Sequence, residues 1–420
     1  MFDATTRPGG LQHVVFLERA VNEPDATPAG FGKAAFLVLR LVDLVGAPHN
    51  PTGRDDLFGY QAAATGRFCT EHLEQGPSAD LLLDLVRAAT YARRRQDPGL
   101  VAPAMIALAD GLREAVCYEE ALDVIGTLER VARSQLRPGD AVTVALRTGR
   151  LERELARFDQ AEQAYKRARE LALAAGDTSS MLLSGLGRAN VYRGRGDLVE
   201  AERWDWEVLR DAQAAGQREV EARAEHDLGI VLGTRGQLFD AVPHLWQAFR
   251  LHQEEAPSLG ALHDLGHALM RLGDIDSAER ALSYVVSRCD SRDNVQNALI
   301  DLMHCASFRR NRVGFERHRV SCAKEQAHMA PNILTDYLLK LGIGLARFGL
   351  FDRAVTELDQ ALRVAQAHRL HEFEFRIERI RAGLRDCEAL EMAEHDTEAE
   401  PTAHRSTVAA VSAALASLTV

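Results

Sequence analysis

Several ingredients are scarce in this 420-residue chain, and each scarcity excludes something. Cysteine occurs six times, as Cys69, Cys117, Cys289, Cys305, Cys322 and Cys387, with no Cys-x-x-Cys pair and no short spacing of the zinc-knuckle or redox type. Free, mostly buried thiols in a reducing cytoplasm are the expectation. Aromatics are only 6% and prolines number 13, which favours helices over a β-sandwich, because strands draw on β-branched and aromatic residues. Cations are outnumbered, 50 Lys and Arg against 61 Asp and Glu for a net charge of −11. General nucleic-acid binding needs the opposite balance, to displace phosphate counterions. No apolar run reaches 18 residues, so no membrane span is expected. The opening MFDATTRPGG lacks a basic n-region and an apolar h-region, so no secretion signal is expected either. What the chain does have is 46% hydrophobic residues, enough for a core and too many for a chain disordered throughout.

Self-similarity organises that hydrophobic content. Segments 228–241 (LGIVLGTRGQLFDA), 265–278 (LGHALMRLGDIDSA) and 341–354 (LGIGLARFGLFDRA) align without gaps. Each carries Leu-Gly, a Leu three residues after that Gly, a second Gly seven after it and Ala twelve after it. A weaker copy ends at Ala201, and the runs Phe158–Ala161 and Tyr118–Ala121 continue the series upstream. The closing small residues are Ala121, Ala161, Ala201, Ala241, Ala278 and Ala354. Leu81 and Glu316 fit as degenerate members, and the mean spacing is 39 residues. Seven residues after each marker stands Ala88, Leu128, Ala168, Val208, Ala248, Val285, Ala323 or Ala361, two helical turns on and on the same face. Each unit therefore reads as two antiparallel helices. Leu-Gly lets a neighbouring helix approach closely, and the second Gly supplies the turn. An isolated pair cannot bury its whole apolar stripe, so pairs must stack.

The pattern resembles the tetratricopeptide repeat, whose consensus places Leu-Gly, a large residue, Gly, Ala and a second Ala at these relative positions. The resemblance covers about 300 of 420 residues and is strongest at 222–255, 259–292 and 335–368. It lacks the consensus tryptophan of the first helix, and its period is nearer 40 than 34. Runs such as Leu171–Asp177 and Asp211–Gln217 place the extra residues in the second helix, as in the long-helix repeats of bacterial peptide-sensing regulators. The fold class implied is all-α, a right-handed α-solenoid of about seven to eight helix pairs over residues 62–387.

The flanks differ in composition. Residues 1–30 contain Pro8, Pro24, Pro28 and three glycines, room for one short helix at about 10–21. Residues 33–45 are apolar nearly all round and read as a buried capping helix, so 1–61 forms a loose N-terminal segment with capping helices. No basic recognition helix for DNA reading occurs there. At the other end, 388–420 comprises an acidic linker, Glu388 to Pro401, and a short helix from Ser406 that docks on the last repeat or stays mobile.

Catalytic motifs are hard to find. The stretch Gly30-Phe-Gly32-Lys33-Ala34 lacks the first glycine and the hydroxyl of a phosphate loop. Adjacent acids such as Asp55-Asp56 and Glu119-Glu120 diverge by about 100° on a helix and cannot share a substrate. The one constellation to weigh is His263-Asp-Leu-Gly-His267, with His226 at the position of His263 one repeat earlier. Two histidines at i and i+4 share a helix face and could hold a metal, but zincins carry Glu where Asp264 stands. A metal-dependent hydrolase using His226, His263 and His267 is thus the third reading, beside a polar cluster lining a groove.

Tetratricopeptide resemblance implies that first helices line the ligand-binding side. Carrying over the family's inward positions gives Arg113, Arg153 and Arg193 in three successive repeats, and Arg271, Arg309 and Arg347 in the last three. Arg150, Asn190, His226, His263 and His267 complete the set. Such a wall suits carboxylate or phosphate groups that accept bidentate hydrogen bonds. Arginines near a helix C-terminus also complement the dipole there, so a purely structural role stays open. In chaperone-binding members a carboxylate clamp uses two asparagines; only Asn190 matches, and Asp227 stands at the other place. The first expectation is a non-enzymatic cytoplasmic scaffold or adaptor, without cofactor, binding a peptide segment of a protein partner, acidic in character. The alternative is a regulatory protein that responds to a peptide or small anion and acts on a second protein.

Overall fold

The structure, a computed structural model, describes residues 12–22, 27–47, 54–384 and 402–418. Among these residues it contains twenty α-helices, two short 3-10 turns and no strand. In chain order the helices begin with α1 (Val14–Asn22), α2 (Thr27–Asp43), α3 (Arg54–His72) and α4 (Pro77–Arg95). Four antiparallel pairs follow, α5 (Ala102–Glu114) with α6 (Tyr118–Ala132), α7 (Pro138–Glu154) with α8 (Phe158–Ala175), α11 (Arg218–Thr234) with α12 (Leu238–Leu251), and α13 (Glu255–Arg271) with α14 (Ile275–Arg288), with α9 (Thr178–Gly194) and α10 (Leu198–Ala214) standing in sequence between the second and the third. The rest are α15 (Arg292–Phe308), α16 (Arg312–Glu325), α17 (Pro331–Arg347), α18 (Phe351–Ala367), α19 (His371–Ala382) and α20 (Thr402–Leu415). The expected all-α array of tetratricopeptide-like pairs is present, and the chain divides into two compact units, Met1–Ala201 and Glu202–Val420.

The repeat's small residues act as the sequence suggests. A Cβ added at Gly229, Gly266 or Gly342 would lie 2.6, 2.9 and 2.7 Å from Leu245, Leu282 and Leu358. Each of these leucines comes from the second helix of the same pair and fills the space the glycine leaves. The marker alanines Ala121, Ala161, Ala201, Ala241, Ala278 and Ala354 are fully buried. After each first helix the chain reverses through one left-handed residue: Gly196, Gly236, Gly273 and Gly349 where glycine is available, Val116, Ala156 and Arg310 where it is not.

Two details depart from the expected register. The seventh pair turns at Arg310, so its buried column runs through Phe315 and Cys322, each 1% exposed, and Glu316 and Ala323 are displaced from it by one residue. In α4 the buried column likewise runs through Leu82 and Ala89 rather than Leu81 and Ala88. The extra residues of the long repeat also enter both helices. α8 and α10 reach 18 and 17 residues, and every first helix from α7 to α17 has 17.

At the N-terminal end α2 is a core helix, with Ala34, Ala35, Val38, Leu39, Leu41 and Val42 buried against α4 and α6. The acidic linker expected at 388–401 lies outside the described residues. The C-terminal helix α20 packs on α12 and α14, not on the last repeat. No helix among the described residues is long and apolar enough to cross a membrane.

Candidate functional site

Within each unit the first helices form a continuous layer. α5, α7 and α9 touch in succession, as do α11, α13, α15, α17 and α19, whereas α12, α14, α16 and α18 make no comparable contact with one another. Rows of elements that touch on one side and separate on the other place the touching row on the shorter side of each stack. That row carries the side chains singled out by the repeat.

In the first unit the arginines converge. Arg113 on α5 and Arg150 and Arg153 on α7 lie close enough that burial, followed by repulsion from Arg113 and then Arg153, lowers the Arg150 pKa. Glu154 offsets this in part, and it pairs with Arg153 at 2.7 Å. Arg113 reaches Glu114 at 3.4 Å, while Arg150 makes no hydrogen bond or ion pair among the described residues. Tyr165 from α8 stands beside them, its hydroxyl pKa raised by burial against the opposing pull of Arg153. This ring also fills the space above Gly149 and Gly187, which keeps α7 and α9 close. Asn190 donates to the Leu186 carbonyl at 3.0 Å and accepts from Arg193.

The second unit brings its histidines together on a chain of carboxylates. His226 Nε2 lies 2.8 Å from Asp264 Oδ2, and His263 Nδ1 lies 3.1 Å from Asp264 Oδ1. His263 Nε2 is also 3.5 Å from Asp301 Oδ2, which accepts from His267 Nδ1 at 3.0 Å. Lys340 Nζ then donates to Asp301 Oδ1 and Asp336 Oδ2, both at 2.6 Å. The network links α11, α13, α15 and α17. Burial acts against its charges, but the pairing prevails. Pairing with Asp264 and Asp301 pushes His263 up to about 10, and Lys340 is raised by the same kind of pairing. Asp264 is held below the usual carboxylate range by His226 and His263, and Asp301 well below it by Lys340, His267 and His263. The ring thus lies between two carboxylates, hydrogen-bonded to Asp264 through Nδ1 and facing Asp301 through Nε2, an arrangement that favours its charged form. Among the described residues no group of three or more His, Cys, Asp or Glu is placed to hold a metal ion.

The late arginines divide differently. Arg271 donates to the Gly233 carbonyl at 3.0 Å, at the free end of the preceding first helix. Arg347 is buried, donates to Ser307 Oγ at 2.8 Å and lies 3.6 Å from the Phe308 ring centroid. Arg309 belongs to another series, because the one-residue register shift turns it outward. It pairs with Asp276 and Glu279 on α14, as Arg195 pairs with Asp159 and Glu162 and Arg235 with Glu202.

In the sequence Asp264 reads only as a mismatch to zincins, and Asp301, Asp336 and Lys340 belong to no motif. A signal was available: Asp227, Asp264, Asp301 and Lys340 recur at one-repeat intervals, one residue after the histidine column.

No protein-family model matches the chain, and no curated protein matches it in sequence. Solved structures do match in fold. The apo quorum sensor NprR from B. thuringiensis is 13% identical, with a TM-score of 0.52 over 83% of this chain and 92% of that one. Aspartyl phosphate phosphatase F from Bacillus subtilis is 12% identical, with a TM-score of 0.50 over 86% and 96%. The Rap conjugation gene regulator of plasmid pLS20, in complex with the Phr* peptide, is 12% identical, with a TM-score of 0.50 over 80% and 97%.

Proposed function

We propose that the chain is a peptide-responsive regulatory protein. An acidic peptide, or a peptide's terminal carboxylate, binds the first-helix layer, and the bound state changes the protein's hold on a second protein. The observation that carries this reading is the convergence of Arg113, Arg150 and Arg153, which places like charges together with only partial compensation from Glu154. Guanidinium forks suit carboxylates bidentately. Fold similarity to a quorum sensor and to a regulator solved with its peptide supports ligand-gated regulation over passive scaffolding. Arg271, Arg309 and Arg347 serve instead to join neighbouring repeats.

The test uses fluorescein-labelled pentapeptides with free C-termini, acidic against basic, titrated into the full chain by fluorescence anisotropy. Acidic peptides should bind and basic ones should not, with affinity falling as salt rises. Charge-assisted hydrogen bonds contribute ~1.5–3 kcal/mol each, so Arg150→Glu with Arg153→Glu should weaken binding by roughly a hundredfold or more. Arg309→Ala, on the outer staple, should leave it unchanged. Binding indifferent to Arg150 and Arg153 sinks the site. Binding without any change in solution scattering would return the reading to a scaffold.

A further inference from the structure

The C-terminal helix α20 lies against two second helices, α12 and α14. Val408, Val411 and Leu415, spaced i, i+3 and i+7, share one face of α20, and all three are buried. That face packs on α12 and, to a smaller extent, on α14. Ser412 adds a polar tie, its hydroxyl donating to Asp274 Oδ2 at 2.6 Å. Asp274 is the N-cap of α14, and its other oxygen accepts from the Ser277 backbone N–H at 3.2 Å. α20 is thus fastened to the side of one repeat and the starting point of the next.

Its position matters because of what is missing beneath it. α12 and α14 make no substantial contact with each other, and α11 touches α13 only lightly. The angle between these two pairs therefore rests on the α12–α13 packing and on whatever bridges the outer side. Their first helices hold His226, His263 and His267, the start of the carboxylate network. Movement of one pair against the other changes the distance that the His226–Asp264 bond must span.

We infer that the face formed by α12 and α14 is a docking surface for a small-residue amphipathic helix, and that α20, its occupant in cis, is a detachable strut that sets the spacing of these two repeats. Only Ala, Ser, Thr and Val side chains lie between Ser406 and Ala414, so close approach is cheap and the contact is shallow. Shallow contacts of few apolar groups sit at the low-stability end of a fold and open first. Release of α20 frees the α11/α12 and α13/α14 pairs to change pitch. Its part in restraining a peptide response rests on the regulatory reading above; its part as a strut does not.

The experiment needs no peptide ligand, so its failure and that of the regulatory reading are separate outcomes. In the full chain, Val411→Asp puts a carboxylate into the buried face. Hydrogen exchange in α20 should rise at least tenfold while α17 and α18 keep their protection. Spin labels at the exposed Arg250 and Ser287, at the ends of α12 and α14, should give a narrow distance distribution in the parent chain and a broadened one in the variant. A synthetic peptide of residues 402–418 added in trans should narrow it again. Release of α20 with an unchanged distribution overturns the strut, and so does a peptide that fails to restore it. Persistent protection of α20 in Val411→Asp overturns the assigned docking face. Should that variant lose helicity beyond α20, Ser412→Ala serves in its place: it keeps the apolar face, and exchange in α20 should rise several-fold, with no rise counting against the tie to α14.

Discussion

Replacing Lys340 with Met tests whether the carboxylate network is a structural spine of the second unit. The Lys340 side chain is 4% exposed and its partner Asp301 is 2% exposed, so the change removes a cation that water barely reaches from between two carboxylates, one of them equally buried. Breaking a buried pair by removing one partner costs ~3–5 kcal/mol, because the other charge is left without compensation. Asp301 keeps His267 at 3.0 Å and the nearby His263 ring, which places the expected loss near the lower end, about 3 kcal/mol. For a unit of this size each kcal/mol shifts the melting temperature by ~2–4 °C, so the transition should fall by roughly 6–12 °C in calorimetry. Asp336→Asn removes the other, more accessible carboxylate and should cost about 1 kcal/mol. Acid supplies a second check. Asp301 is held well below the ordinary carboxylate pKa, so its stabilising contribution is complete above about pH 4 and is lost as pH falls. The Lys340→Met deficit should therefore be full at neutral pH and fade in acid. A loss under about 2 °C, or equal losses for the Lys340 and Asp336 variants, would refute the reasoning.

Other expectations follow from the same geometry. His13 sits between Asp123 at 2.6 Å and Asp43 at 3.1 Å, and these bonds outweigh burial to raise its pKa. The contribution of that imidazolium is complete below about pH 6.5 and lost as pH rises through the folded value. His13→Gln should thus lower urea stability by ~1–3 kcal/mol at pH 6, with the gap to the parent chain narrowing at higher pH. Gly187→Ala would drive a methyl into the Tyr165 ring and should cost ~1–3 kcal/mol in the thermal transition of the first unit, a loss that a Tyr165→Leu background should relieve. Arg309→Ala should cost no more than ~1 kcal/mol at low salt and less at high salt, because its pairing with Asp276 and Glu279 is on the surface. A larger, salt-independent loss would assign Arg309 a different role.

How much of the site could be read from the sequence depended on the kind of contact. Arg113 and Arg153 could be found because they repeat at one position, and their convergence with Arg150 follows from neighbouring first helices touching. Arg309 was misplaced because the seventh repeat turns on Arg310 where other late repeats use glycine. Without that landmark the register slipped by one residue, enough to rotate a helical side chain by about 100°. The histidines were legible as a cluster but not as a network. Asp301, which pairs with the rings, and Lys340, which pairs with Asp301, lie one and two repeats further along the chain, and which ring nitrogen meets which carboxylate depends on how repeats stack.

The local rule was set by the sequence alone. A Leu-Gly pair, a turn and a buried alanine, repeated at about 40 residues, dictate two antiparallel helices whose apolar faces only a neighbouring pair can cover. Period and small-residue placement are short-range properties, and they survive a weak consensus. Tertiary structure decided what the repeats do to one another: which arginines face a charge of their own sign, which histidines are bracketed by carboxylates, and where α20 comes to rest. That last outcome has a plain physical cause. A helix with three apolar side chains on one face carries little information about its partner, and the surface that covers them, formed by α12 and α14, exists only once the repeats have stacked.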